Sequence, residues 1–360
     1  MQAKKPYDSL SLNECIDLID RVGDQVTILV EGPIGCGKSS MLKILANKYP
    51  NHLPVYCDIT TKDAGDFLIP QIRTLEGVPV CSFIPNEEFG FHLNKPVVLL
   101  LDELGKAPKA VMNACLRLML EKKLGTYTLP EGSIVFATTN LASDGVGDNI
   151  PAHARNRICK VKMRKPTPVE WRDDFAQNAG VDPVIIVAVI EYPAMLGSPE
   201  DYDRPEQNQY IHDVRSPRAA FVSPRSLEKA SNILQACRDM PEDILIHALV
   251  GTIGEQAALD VMNILKLDQS MPAWGAIIAD PHNAQVPTSG AALCLVISKG
   301  LGNVDKASFD AWMTYLKRLP REAQALFAKG AMSSHCPKRS IATSNKQFSN
   351  WCADMGWIVS

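Results

Sequence analysis

The stretch Glu31-Gly32-Pro33-Ile34-Gly35-Cys36-Gly37-Lys38-Ser39 constrains this chain more than any other. It has the G-x-x-x-x-G-K-[ST] spacing of a phosphate-binding loop. Ahead of it, Val26-Thr27-Ile28-Leu29-Val30 is a short apolar run rich in β-branched residues, which reads as a buried strand. Behind it, Met41-Leu42-Lys43-Ile44-Leu45-Ala46 is apolar at helical spacing. Strand, glycine loop and helix together are the context in which the spacing counts. The bland alternative is a glycine turn before an amphipathic helix. In the functional reading the glycines let backbone N–H groups turn inward around phosphates, and the helix N-terminus adds favourable potential. Gly32, Pro33, Ile34, Gly35, Cys36, Gly37, Lys38, Ser39 and Ser40 are then expected to cradle the phosphates of a nucleotide. Lys38 would reach the β- and γ-phosphates and Ser39 would bind Mg²⁺.

A second run, Val97-Val98-Leu99-Leu100-Leu101, ends in Asp102-Glu103. A parallel strand buried on both faces reads as a continuous apolar run, and its carboxyl end is where an α/β sheet places its ligand. Asp102 there can hold a metal and Glu103 can polarise a water for attack on the γ-phosphate. The alternative is a buried strand followed by a polar turn. A helix is expected from Pro108 through Lys122, and Ser133 to Asn140 reads as a further strand ending on a polar residue. Asn140 is a candidate to position the attacking water, although Asn at a strand end also makes turns. Pro54 to Ile59 and Cys159 to Met163 complete the strand signals. Arg155 and Arg157 precede the last of these, where solvated surface charge is the ordinary reading. Between them, residues 60–95 mix Gly and Pro with apolar pairs and are expected to form an insertion with hairpin-like structure.

The texture changes near residue 166. Thr167-Pro168-Val169-Glu170 is a capping box with Pro at the first helical position, and strand signals nearly vanish beyond it. Helices are expected from Asp182-Pro183, from Ser223-Pro224-Arg225, and over 241–266 and 304–355, with a polar, Pro-rich stretch over 198–217. A net charge of −3 gives no global basic field of the kind that drives non-specific nucleic-acid binding. The ten cysteines contain no C-x-x-C pair, which argues against a zinc ribbon or a disulfide framework and for a reducing compartment. Met1 to Lys5 is polar, and no apolar segment follows that would make a signal peptide. The longest apolar run, Val184 to Ile190, falls far short of the roughly 20 residues a bilayer needs. The expectation is a soluble, cytoplasmic protein without membrane insertion.

Gly32-to-Ser39, Asp102-Glu103, Thr139-Asn140, Asn156-Arg157-Ile158 and Ser223-Pro224-Arg225 stand in the order found in AAA+ ATPases. More narrowly the chain resembles the MoxR subfamily of bacteria and their phages. Asp102-Glu103-Leu104-Gly105-Lys106-Ala107-Pro108 looks like that group's D-E-hydrophobic-N-R-A-P, with Gly-Lys in place of Asn-Arg, and Ser223-Pro224-Arg225 looks like its S-P-R. The resemblance covers roughly residues 10–266. It implies an α/β fold: a P-loop NTPase αβα sandwich on a five-stranded parallel sheet, over 1–166. An α-helical lid over 167–268, with an insertion before Arg225, and a C-terminal helical region over 269–360 would follow. It also implies a homohexameric ring with ATP at each interface. Asn140 becomes the first sensor, and Arg157, with Arg155 as second candidate, the finger reaching a neighbour's γ-phosphate. Arg225 becomes the second sensor, in cis or in trans. The function implied is ATP-driven remodelling of a protein client with a partner carrying a von Willebrand factor A domain. Two other readings compete. One is a DNA-handling ATPase with a basic surface from Lys106, Lys109, Lys122 and Lys123, where solvated helix charges are the simpler account. The other is a monomeric P-loop kinase, in which the Asn140 and arginine constellation has little purpose.

Overall fold

The computed structural model describes residues 8–141, 150–212, 217–333, 336 and 338–354. Met1 to Lys5, residues 213–216 of the Pro-rich stretch, and 334, 335, 337 and 355 of the expected C-terminal helices lie outside the described residues. The chain divides into two compact units, Met1–Lys165 and Pro166–Ser360.

The first unit opens with α1 (Leu12–Val22), whose N-terminus is closed by a reciprocal capping box between Ser11 and Glu14. β1 (Ile28–Gly32), α2 (Ser40–Lys48) and β2 (Leu53–Asp58) follow. An antiparallel ribbon comes next, β3 (Leu68–Leu75) and β4 (Val78–Pro85), and then β5 (Val97–Asp102) and α3 (Lys109–Glu121). A two-residue ladder, β6 (Lys123–Leu124) with β7 (Tyr127–Thr128), leads to β8 (Ile134–Asn140), α4 (Ala152–Arg155) and β9 (Cys159–Lys162).

β2, β5, β8, β1 and β9 form one five-stranded sheet in that order, with every neighbouring pair parallel. The fold is a P-loop αβα sandwich. Alternation along the strands sends side chains to opposite faces. Leu99 and Leu101 pack with Leu29, Val135 and α3 residues such as Val111 and Cys115. Val98 and Leu100 pack with Ile28, Val30, Phe136 and, from α1 and α2, Ile19, Met41 and Leu45. With both faces covered, the strands have no polar side to show, which is why their sequences read as unbroken apolar runs. Register aligns the carboxyl ends: Gly32 is level with Asn140, and Asp58 with Asp102.

β1 starts two residues later than the apolar run suggests. Val26 donates its N–H back to Val22 and stays 40% exposed, while the Thr27 hydroxyl donates to the Met119 carbonyl of α3. The insertion is a long ribbon that turns at Glu76-Gly77, both with positive φ as a tight hairpin turn requires. It shows Ile69, Ile72, Leu75, Val78 and Phe83 to solvent. Its base packs on the β6–β7 turn, where a Cβ added to Gly125 would meet Leu68 and the Phe83 backbone.

The second unit holds no strand among its described residues. α5 (Pro168–Glu170) runs into a π-helical turn (Trp171–Ala176), and α6 (Pro183–Glu191) and α7 (Pro224–Cys237) follow. α8 (Glu242–Ile253) and α9 (Glu255–Ser270) are separated at Gly254. α10 (Trp274–Ala279), α11 (Gly290–Asn303), α12 (Phe309–Leu316), α13 (Arg321–Met332), α14 (Arg339–Ser344) and α15 (Lys346–Asp354) complete it. Its apolar residues form two cores. One lies among α6 to α9 with Leu295, and the other, rich in aromatics, surrounds Trp312 and Phe327. α11 serves both. A chain of ion pairs ties the first core together: Arg238 holds Asp182 at 2.7 Å and Asp268 at 3.2 Å, and Lys299 holds Asp268 at 2.7 Å.

Where α11 meets α12, Gly300 lies against the Trp312 indole, and a Cβ there would clash with the ring. The ring is flanked by Trp274, Tyr315 and Phe327 and is fully buried. Gly300→Ala is therefore expected to destabilise the protein by about 1–3 kcal/mol through overpacking. An unchanged thermal unfolding midpoint in calorimetry would show that this contact is looser than described.

Candidate functional site

The loop between β1 and α2 owes its shape to two glycines in the left-handed region, Gly35 at φ +69° and Gly37 at φ +96°. A side chain at Gly37 would be strained in that conformation. Ser39 stands at the N-cap of α2 but makes no side-chain cap, so no hydroxyl fills the first N–H groups of that helix. The Ser40 and Met41 N–H groups donate to the Gly37 and Lys38 carbonyls, at 3.0 and 3.3 Å. Ser40 also donates its hydroxyl to the Gly37 carbonyl at 2.6 Å and closes the loop on itself. Gly32, Pro33, Gly35 and Cys36 are buried, and Ile34, Gly37, Ser39 and Ser40 partly so.

Lys38 is only 6% exposed. Its ammonium donates to the Gly32 carbonyl at 2.7 Å, the Pro33 carbonyl at 2.8 Å and Asn140 Oδ1 at 2.8 Å. All three acceptors are neutral, and no carboxylate pairs with it among the described residues. A buried cation without a counter-charge is suited to an anionic ligand.

On the next strand but one, Asp102 collects four donors. Ser39 Oγ gives to its Oδ2 at 2.7 Å and Tyr56 Oη to the same oxygen at 3.0 Å. Thr138 Oγ1 and the Glu103 N–H give to Oδ1. The hydroxyl and carboxylate expected to hold a metal are thus side by side. Among the described residues no three His, Cys, Asp or Glu side chains gather as an all-protein metal site. One carboxylate, one hydroxyl and a neighbouring phosphate cradle match the way Mg²⁺ is bound together with nucleotide phosphates.

Glu103 has φ +60°, an unusual conformation for a residue with a side chain. That turn lifts its carboxylate out of the strand line, where Asn140 Nδ2 donates to Oε2 at 2.7 Å and Lys106 Nζ lies 2.9 Å from the same oxygen. The Asn140 amide orientation is forced, because an ammonium can only donate and so must face Oδ1. A continuous chain runs Lys38–Asn140–Glu103–Lys106.

The loop residues, Asp102, Glu103 and Asn140 are therefore gathered at one end of the sheet. Arg155 is exposed and donates Nε to the Ile150 carbonyl at 3.0 Å. Arg157 is exposed and its side chain has no partner among the described residues. Arg225 lies in the second unit, exposed in the first turn of α7 behind the Ser223 capping box. Of the lysines that would make a basic surface, Lys106 is paired with Glu103, and Lys122 donates to the carbonyls of Gly23, Asp24 and Ser133. Burial there holds the Lys122 amine below its usual pKa.

Tyr56 and Thr138 escaped sequence reading. Tyr56 follows the strand alternation as an outward residue, 52% exposed, and only the β2–β5 pairing brings its hydroxyl to Asp102. Thr138 had a signal, the first hydroxyl after the apolar run Ile134 to Ala137 and two residues before Asn140.

No protein-family model matches the chain, and no curated protein matches it. Solved structures are similar in fold. The Holliday junction branch migration motor RuvB of Thermotoga maritima superposes over 86% of this chain and 90% of its own, at 14% identity and a TM-score of 0.36. A candidate ATPase from Cytophaga hutchinsonii does so over 71% and 90%, at 14% identity and a TM-score of 0.32. Likeness this loose transfers no residue role; the fold assignment rests on the strand order and register.

Cys36 sits inside the loop at 3% exposure, packed among Cys15, Ile16 and Met163. Burial pushes its thiol above the usual cysteine range. Thiolate is the reactive form, so Cys36 is expected to resist alkylation in the native protein near pH 7.5. Cys81, exposed on β4, should label first. Peptide mapping after brief iodoacetamide treatment checks this, and early label on Cys36 would mean that the loop opens readily.

Proposed function

We propose that this chain is a Mg²⁺-dependent ATP hydrolase of the AAA+ type. In this reading it works in the cytoplasm, at the subunit interfaces of a homohexameric ring, to remodel or help assemble a protein client. The resemblance to MoxR-like ATPases adds a von Willebrand factor A domain protein as the expected partner. The observation that carries the hydrolase reading is the buried Lys38 ammonium, enclosed by neutral oxygens in the glycine loop between β1 and α2.

Phosphoryl transfer asks a protein for positioned charge more than for covalent chemistry. Lys38 and the loop N–H groups would hold the β- and γ-phosphates. Ser39 and Asp102 would hold Mg²⁺, which when bound neutralises charge developing on those phosphates. Glu103 would accept a proton from the attacking water, and Asn140 would orient that water and the Glu103 carboxylate together. Arg157, exposed and without a partner among the described residues, fits a finger offered to a neighbouring subunit, with Arg155 in support. Arg225 would sense nucleotide from the lid, 167–268, with 269–360 as a further helical region. The exposed apolar ribbon β3–β4 and the adjoining β6–β7 turn would contact the client.

Glu103→Gln is expected to bind ATP as the wild type does and to lose most turnover, since removing a general base costs about 10²–10⁴-fold. Lys38→Ala should lose binding. Fluorescent-nucleotide titration and phosphate release measure the two, and wild-type turnover in Glu103→Gln would overturn the assignment.

A finger supplied by a neighbour makes hydrolysis depend on assembly. Arg157→Ala should bind ATP and hydrolyse poorly, because such a charge is worth about 10³–10⁵ in rate in well-studied P-loop enzymes. Mixing it with Lys38→Ala subunits should restore part of the rate, since some interfaces then pair an intact loop with an intact finger. No rescue, with specific activity independent of protein concentration, would leave Arg157 a surface charge and the ring without support.

A further inference from the structure

We infer that Lys106 is a positioning residue for the Glu103 carboxylate, an inference that rests on the hydrolase reading above. Glu103 is followed by a 3₁₀ turn, Leu104–Lys106, closed by hydrogen bonds from the Lys106 N–H to the Glu103 carbonyl at 2.9 Å and from the Ala107 N–H to the Leu104 carbonyl at 3.0 Å. With three residues per turn, side chains three apart eclipse one another. The left-handed backbone at Glu103 and the tight turn behind it therefore bring Lys106 over the carboxylate, at 2.9 Å.

The two donors on Glu103 share an oxygen. Asn140 Nδ2 reaches Oε2 from β8 and Lys106 Nζ reaches Oε2 from the turn. Oε1 has no hydrogen-bond or ion-pair partner among the described residues. A carboxylate gripped at one oxygen from two directions cannot swing about its terminal torsion, and the ungripped oxygen points where the grip dictates. Lys106 and Asn140 together thus present Oε1 as the acceptor for the proton of the attacking water. Neither does this alone: the amide fixes one line of approach, and the ammonium, held by backbone only three residues away, fixes the second. Lys106 is exposed and touches no nucleotide cradle residue, so its effect passes through Glu103.

The test uses the full chain with Lys106→Met, Lys106→Arg, Glu103→Gln and the double variant Lys106→Met/Glu103→Gln. Misplacing a reacting group by about 1 Å can cost on the order of 10²-fold. Lys106→Met is accordingly expected to lose about 10- to 100-fold in kcat with KM for ATP within about 2-fold of wild type. Lys106→Arg, which keeps the charge and a donor, should recover most of the loss. The double variant should be no slower than Glu103→Gln alone, because a residue acting through Glu103 has nothing left to position. Wild-type kcat in Lys106→Met, or a further loss in the double variant equal to that in the single, overturns the inference while leaving the hydrolase reading intact. Wild-type turnover in Glu103→Gln overturns both.

Discussion

The site depends on one buried ammonium. Taking a lysine charge out of water costs several kcal/mol even after the surroundings relax. A hydrogen bond to a charged group is worth about 1.5–3 kcal/mol, so the three acceptors on Lys38 Nζ offset much of that cost. Each acceptor is a separate structural commitment. Gly32 O and Pro33 O require the chain to leave β1 in the turn that the glycine loop makes. Asn140 Oδ1 requires β8 to end level with β1, which the register Gly32 to Asn140 provides. Sheet order, loop conformation and the polar end of β8 are tied together at a single nitrogen.

That nitrogen also sets what lies beyond it. Because Lys38 can only donate, Asn140 has its amide turned with Nδ2 outward, toward Glu103. The orientation of the carboxylate is thus set from the loop on one side and from Lys106 on the other. Glu103 occupies a conformation that costs about 1–2 kcal/mol for a residue with a side chain. The 3₁₀ turn after it, closed by two backbone hydrogen bonds, holds it there.

Much of this could be read from the residues and some could not, and the division has a physical basis. Strands buried on both faces announce themselves as apolar runs, so β5 and β8 were legible to within a residue. β1 was displaced by two because its flanking Val26 and Thr27 are apolar or β-branched yet Val26 N–H bonds back to α1 and the Thr27 hydroxyl to α3, leaving only the Thr27 carbonyl to meet β9. The loop residues and Asp102-Glu103 carry their meaning in local spacing. Tyr56 does not: its bond to Asp102 exists only because β2 lies beside β5, 46 residues away in the chain. Lys106 was visible as a departure from the resembled pattern, but its contact follows from the positive φ at Glu103, which no residue type there signals. The apolar faces of the β3–β4 ribbon were legible as an insertion without a core role, and the structure leaves them exposed.

The placement of the two strongest charges completes the argument. Lys38 and Asp102 sit on adjoining parts of the same sheet end, and a direct ion pair between them would be the simplest way to neutralise both. None forms among the described residues. Lys38 is caged by two carbonyls and an amide, and Asp102 by three hydroxyls and a backbone N–H. Neutral dipoles lower the cost of burial without cancelling the charge. Each side chain therefore keeps its field, one for an anion and one for a cation, with Ser39, the residue after Lys38, donating to Asp102 between them. A ligand that brings phosphate and divalent metal together satisfies both at once, and a ligand carrying only one of them leaves the other charge buried and uncompensated.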